Sequence, residues 1–222
     1  MGGPEITLFV DVVSPFAYEA YHILRNDAAF RDVKKTYVPI FLGGIMNMAG
    51  NTPPLRIKNK DVWINKERVR WAEAFQIPMS EGMPPDFPPN TLHVMRAVCC
   101  VAEGQNQENL CAVLDRLYAE FWVGHAQIAR PDVFAPILRE VLGKEEGDRV
   151  LADAPARGRA ALLANTDRAF AAGAFGLPWM VCVDARGRTE GFWGVDHLGH
   201  VARFLGLPRP GPEGSEGWKS ML

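Results

Sequence analysis

The chain is poor in cysteine and shows no excess of either charge. Only Cys99, Cys100, Cys111 and Cys182 occur among 222 residues. No two of them form a C-x-x-C pair, and no His/Cys cluster has zinc-ligand spacing. A disulfide scaffold is therefore not expected, and a reducing compartment suits the composition better. His197 and His200 lie three apart but face no acidic ligand-rich segment, so no metal site is expected. Lys and Arg total 24 against 26 Asp and Glu, a net charge near −2. Nucleic acid and membrane surfaces, which select basic chains, are not favoured partners. No apolar run approaches the roughly 18 residues of a membrane span. The opening MGGPEITLFV has no basic segment, so no secretory signal is expected and the placement is intracellular. Cytoplasm, mitochondrion and peroxisome remain open. The ending Ser220-Met221-Leu222 departs from a peroxisomal S-K-L at its middle residue. No internal repeat is present, and Gly43-Gly44 is too short to read as a phosphate loop.

What is present is a mixed pattern of strands and helices. Hydrophobic residues make up 48% of the chain, enough for a sizeable core. Glu5–Asp11 is a near-continuous apolar run and reads as a buried strand. Ser14-Pro15 then has the signature of a helix start, with Ser at the cap and Pro at the first helical position. A helix follows to Leu24, and Lys35–Phe41 reads as a second strand. Leu42–Pro54 is a loop by composition. Helical spacing recurs over Asp61–Phe75, from Asn90 or Thr91 to Val101, and over Glu108–Val123, Pro131–Leu142 and Ala156–Ala172. The Pro-rich residues 84–90 read as a connector. Strands return at Trp179–Asp184 and Thr189–Trp193, and Asp196 opens a last helix. Residues 206–217, rich in Gly and Pro, read as an extended tail. The order is β-α-β, a helical block, then β-β-α. Each half is too small to bury its own sheet, so both ends are expected to join in one four-strand sheet. The fold class is α/β, a thioredoxin-like arrangement with an all-helical insertion. The expected division is 1–57 with 159–222 for the sheet domain and 58–158 for the insertion.

Several residues can carry chemistry, each with a plainer alternative. Ser14 is either a helix cap or a hydrogen-bond donor at a helix N-terminus, where unpaired N–H groups stabilise an anion. Leu177-Pro178 is either an ordinary turn into a strand or a cis-proline that presents the Leu177 backbone to a peptide-like thiol. Asp196 is either an N-cap or a partner for an ammonium group. Asn51 is a turn residue or a polar ligand contact. Lys58 and Lys60 are solvated charges unless a carboxylate lies near. Cys99 and Cys100 diverge on a helix and read as small hydrophobes. Phe16, Tyr18, Trp63 and Trp179 either line an apolar pocket or pack in the core.

Five segments resemble a known family in order and spacing. They are Asp11-Val12-Val13-Ser14-Pro15-Phe16-Ala17-Tyr18, Gly44-Ile45-Met46, Gly50-Asn51-Thr52-Pro53-Pro54, Gly173-Ala174-Phe175-Gly176-Leu177-Pro178 and Phe192-Trp193-Gly194-Val195-Asp196. Together they resemble the kappa-class glutathione transferases. These belong to a larger group with the 2-hydroxychromene-2-carboxylate isomerases and the disulfide oxidoreductase DsbA. The resemblance runs to about Leu205. It implies a DsbA-like helical insertion, a homodimer, and glutathione as the bound thiol beside a small hydrophobic second substrate. It further implies that Ser14 hydrogen-bonds the glutathione sulfur, that Leu177 pairs its backbone with the cysteinyl group, and that Pro178 is cis. Asp196 would hold the γ-glutamyl ammonium, with Asn51 and Lys60 on the peptide and its carboxylate end. Val195 stands where the family usually has a serine.

The implied activity is attack of a glutathione thiolate on an electrophilic or isomerisable substrate. A glutathione-dependent cis/trans isomerase and a non-catalytic binding protein are the alternatives. Dithiol–disulfide exchange cannot run at this corner, because Ser14 and Ala17 stand where the two cysteines would be needed.

Overall fold

A computed structural model describes residues 2–103 and 107–211. Four strands, β1 (Glu5–Val10), β2 (Lys34–Pro39), β3 (Trp179–Val183) and β4 (Thr189–Trp193), form one sheet in the order β2-β1-β3-β4. β1 is central. It pairs parallel to β2 and antiparallel to β3, with Phe9 opposite Trp179. Its unbroken apolar run follows from burial on both faces. Ile6, Leu8 and Val10 point into the larger core, and Phe9 points to the other side among Val38, Ile40, Ile45, Leu177 and Trp179. The period-two alternation of the strand thus divides its side chains between two cores.

Helix α1 (Pro15–Asn26) buries Tyr18, Ala20, Tyr21, Ile23 and Leu24 against the larger core. Between β2 and β3, the described residues hold helices and no strand. These are α2 (Leu42–Met48), α3 (Lys60–Ala74), α4 (Leu92–Glu103), α5 (Gln107–Trp122), α6 (Pro131–Leu142), α7 (Lys144–Asp153) and α8 (Arg159–Ala171). The last helix, α9 (Leu198–Leu205), follows a short 3-10 turn over Val195–His197. α4 and α5 bury seven and eight residues, and Trp122 is fully buried at the end of α5. No described helix is long and apolar enough to cross a membrane.

Two stretches differ from the pattern reading. Leu42–Pro54 is not a loop throughout, since α2 occupies its first half. Its two glycines hide the helix signal, but Gly43 and Gly44 lie against the Phe41 ring, and Ile45 is fully buried. Helix α7 is mostly charged and has few apolar residues to mark it, and it runs into α8 through a π-helical turn over Ala154–Gly158. The expected tail is described only as far as Gly211. Its remainder and the Ser220-Met221-Leu222 ending lie outside the described residues.

The π-turn brings Gly158 against α4 so closely that a methyl group there would overlap the Arg96 carbonyl. Neither backbone can yield without breaking helix hydrogen bonds. Gly158→Ala is therefore expected to lower stability by about 1–3 kcal/mol, as overpacking does elsewhere. Urea unfolding monitored by circular dichroism checks this, and an unchanged midpoint would contradict the close packing.

Candidate active site at the first strand-to-helix corner

β1 ends at Val10, and the chain turns through Asp11 to Ser14 before α1 begins. Ser14 is the N-cap of α1, in extended conformation, and is almost wholly buried. Its Oγ accepts the Ala17 N–H at 3.2 Å, and its own N–H donates to the Asp11 carbonyl at 3.0 Å. Pro15 has no N–H to satisfy. A hydroxyl carries one donor and two acceptor sites, and the Ala17 contact uses an acceptor. The Ser14 proton is thus left to donate to a group held before the helix.

The second wall is the start of β3. The Leu177–Pro178 peptide bond is cis, as expected. Continuing the β1–β3 register by one residue sets Pro178 level with Val10, at the strand end from which the Ser14 corner leaves. The Pro178 carbonyl accepts the Gly194 N–H at 3.0 Å.

The loop after α2 and the turn after β4 close on the same place. Asn51 Nδ2 donates to the Phe175 carbonyl at 2.9 Å, and the Phe175 ring meets Trp193 with centroids 4.9 Å apart. Trp193 leads into Gly194, whose φ of +95° lets the chain turn under the Asp196 carboxylate. A side chain at Gly194 would collide with that carboxylate. Asp196 is exposed, 3.3 Å from His197 Nδ1. The segments around Asn51, Leu177-Pro178 and Asp196 are therefore linked by direct contacts, and α1 packs against the turn holding Asp196. Lys60 is exposed as the first residue of α3, and none of these contacts joins its ammonium to the cluster.

The pattern reading passed over Asp11 except as part of a matched segment. Its carboxylate is fully buried and accepts from the Val13 N–H at 3.2 Å, the Leu42 N–H at 2.9 Å and the Thr91 hydroxyl at 3.0 Å. Burial raises its pKa to about 6, against the pull of those hydrogen bonds. An acid followed shortly by a Ser-Pro helix start was the one available signal. The donors at residues 42 and 91 are legible only in three dimensions.

Four aromatic residues were candidates for a pocket wall. Tyr18 stacks on Tyr118 in the core, Phe16 is half-buried against that core, Trp179 is buried, and Trp63 is exposed. A cavity of about 480 Å3 lies elsewhere, between α3 and the connector before α4. Leu55, Val62, Met83, Pro84 and Phe87 supply its apolar lining, and Asp61, Asn65 and Lys66 its polar part. Phe87 packs on Trp122 with ring centroids 5.5 Å apart, and the Trp122 indole N–H donates to the Val12 carbonyl at 3.1 Å. One indole thus touches both the cavity wall and the corner.

All four cysteines are free and buried. Burial pushes the Cys100 thiol up to about 11, Cys182 up to about 12 and Cys99 higher still. A thiol in that state is a poor nucleophile at neutral pH. Among the described residues, no group of three or more His, Cys, Asp or Glu is placed to hold a metal.

The raised Asp11 pKa fixes the sign of a stability change. An acid harder to ionise when folded contributes most below its unfolded value, near 4, and loses that contribution as pH rises through about 6. Asp11→Asn removes this loss. Unfolding free energy of the variant minus that of the wild type should therefore rise on the order of 3 kcal/mol between pH 4 and pH 7. Urea titrations across that range test it, and a flat difference would mean Asp11 ionises normally.

Comparison with known proteins adds the following. The family model described as a DSBA-like thioredoxin domain matches residues 5–206. The chain is 26% identical to glutathione S-transferase kappa 1 of Caenorhabditis elegans, covering 99% of this chain and 98% of the relative. It is 29% identical to glutathione S-transferase kappa 1 of Rattus norvegicus, covering 93% of each. Among solved structures, a 2-hydroxychromene-2-carboxylate isomerase superposes with a TM-score of 0.75 at 19% identity, over 91% of this chain and 94% of that one.

Proposed function

The chain belongs to the DSBA-like thioredoxin domain family, and within it we propose that the protein is a kappa-class-like glutathione transferase acting on a small electrophilic substrate. The observation that carries this reading is Ser14. A buried hydroxyl with its proton free caps a helix at the corner, where disulfide exchange would require a thiol. Relatives named glutathione S-transferase kappa, aligned over nearly the whole chain, support the same assignment.

Bound glutathione supplies a sulfur nucleophile, for substitution at an electrophilic carbon or for reversible addition. The protein's task is to hold that sulfur as a thiolate. A free thiol with pKa near ~8.5 is only a few per cent ionised at pH 7. Lowering it by about two units takes roughly 2.7 kcal/mol of preference for the anion. A helix N-terminus contributes about 0.3–1 kcal/mol, and one charge-assisted hydrogen bond about 1.5–3 kcal/mol. The Ser14 hydroxyl and the first turn of α1 together reach that figure.

The other contacts bind and orient. The Leu177 backbone would pair with the cysteinyl unit, Asp196 would take the γ-glutamyl ammonium, and Asn51 and Lys60 would serve the peptide and its terminal carboxylate. The exposure of Asp196 and Lys60 leaves both charges available. Val195 turns its side chain into the core, so only its backbone N–H can serve the γ-glutamyl carboxylate. The cavity beside Phe87 offers the second substrate an apolar seat.

Homodimerisation belongs to the same reading. Leu163 and Phe170, seven residues apart on one face of α8, are exposed. The free, buried cysteines suit an intracellular placement. A second reading is a glutathione-dependent cis/trans isomerase. It draws on the structural likeness to the hydroxychromene carboxylate isomerase and uses the same Ser14 chemistry.

Replacing Ser14 tests the reading. Ser14→Ala should raise the pKa of bound glutathione by about one to two units and cut activity at neutral pH by about ten- to a hundredfold. Activity should partly return at high pH, and affinity for an S-alkylated glutathione should change little. Thiolate absorbance of the complex against pH reads the shift directly. An unchanged titration would leave Ser14 as a helix cap only.

The cavity gives a separate test. Val62 lines it and is exposed at its surface. Val62→Glu should raise KM for an aromatic electrophile about tenfold, from lost apolar contact and an added charge, and leave KM for glutathione unchanged. Equal KM values for the electrophile would place the second substrate elsewhere.

A further inference from the structure

Asp11 is a fully buried charge beside the corner that thiol activation does not itself require. The three groups that donate to it belong to three separate parts of the chain. The Val13 N–H lies in the corner that leads to Ser14. The Leu42 N–H opens α2, whose far end leads to Asn51. The Thr91 hydroxyl immediately precedes α4. The Ser14 N–H also bonds to the Asp11 main-chain carbonyl, so this residue grips the corner from both its backbone and its side chain. The charged form of Asp11 also acts on Tyr118 of α5 and Cys99 of α4. Tyr118 is buried with no hydrogen-bond partner for its hydroxyl among the described residues.

We propose that Asp11 is a positioning residue for thiol activation, its carboxylate fixing the Ser14 turn against the start of α2 and the start of α4. The proposal rests on the reading of Ser14 given above. A carboxylate suits the place because both oxygens only accept. Oδ1 takes the corner, and Oδ2 takes α2 and α4 together. An amide of the same shape would turn an NH2 toward the Leu42 N–H or the Val13 N–H. Two donors then face each other, and one side of the clamp opens.

Charge and position predict opposite shifts, which makes the role testable. Removing a negative charge near a thiolate, by itself, lowers the thiol pKa. Moving the Ser14 hydroxyl out of line raises it. In Asp11→Asn the bound-glutathione pKa should rise by about one unit and kcat at pH 7 should fall about tenfold, with KM for glutathione changed less than about threefold. Thr91→Val, which keeps the charge and removes one of the three donors, should move the titration in the same direction by less than about half a unit.

The experiment is the thiolate absorbance of each full-length protein with glutathione against pH, with kcat and KM measured on the same samples. A raised pKa in Asp11→Asn with a nearly unchanged KM supports the proposal. An unchanged or lowered pKa in a folded Asp11→Asn protein overturns it and leaves Ser14 activation standing. If Asp11→Asn does not fold, Thr91→Val decides, and an unmoved titration there overturns the proposal. If the wild type shows no bound-thiolate signal, the reading of Ser14 falls and the proposal falls with it.

Discussion

The turn from β1 into α1 places the end of a buried strand and the start of a helix within hydrogen-bond reach of each other, and the rest of the site is arranged around it. A strand buried on both faces cannot drift, because Glu5 to Phe9 of β1 are each paired with both β2 and β3. A helix starting immediately after it has its N-terminus fixed in the same frame. Ser14 therefore places a hydroxyl at the helix N-terminus, at the strand end level with the cis-proline of the neighbouring strand. Asp11 meets the cost of that abrupt turn by taking up the Val13 N–H, and it uses its remaining oxygen to tie in the helices behind.

The same corner separates this chain's chemistry from disulfide exchange on the same architecture. Fold alone does not choose between them. The choice lies in Ser14 and Ala17, neither of which bears sulfur. The four cysteines that do occur are buried, and burial holds their thiols protonated. On the proposed reading the reactive sulfur arrives with a small molecule, and Ser14 and the exposed Asp196 on the turn after β4 are the residues offered to it.

Much of this was legible in the sequence, for physical reasons that differ between segments. β1 and the Ser14-Pro15 start are local features, a buried apolar run and a capping pair, and they appear in the structure where the pattern put them. The cis bond at Pro178 was legible because an X-Pro step leads straight into a late strand within segments resembling one family, and the same resemblance singled out Asn51 and Asp196 as candidates. α2 was missed because Gly43 and Gly44 weaken helix propensity, while the Asp11 hydrogen bond and the packing on Phe41 that support it come from elsewhere in the chain. The cavity was missed because its walls come from α3 and a proline-rich connector, which no periodicity joins. Trp63 and Tyr18 looked equally suited to a pocket, and tertiary packing alone sends one to the surface and the other to the core.

Calorimetric titration of the protein with glutathione in two buffers of different ionisation enthalpy reaches the central claim most directly. A thiol that ionises on binding releases a proton, and the observed heat then depends on the buffer that takes it up. For a pKa lowered by about two units, roughly 0.7 of a proton should leave per site at pH 7. Saturable binding with that buffer-dependent heat is the expected result. No binding, or binding with the same heat in both buffers, would contradict the claim that this corner holds glutathione as its thiolate.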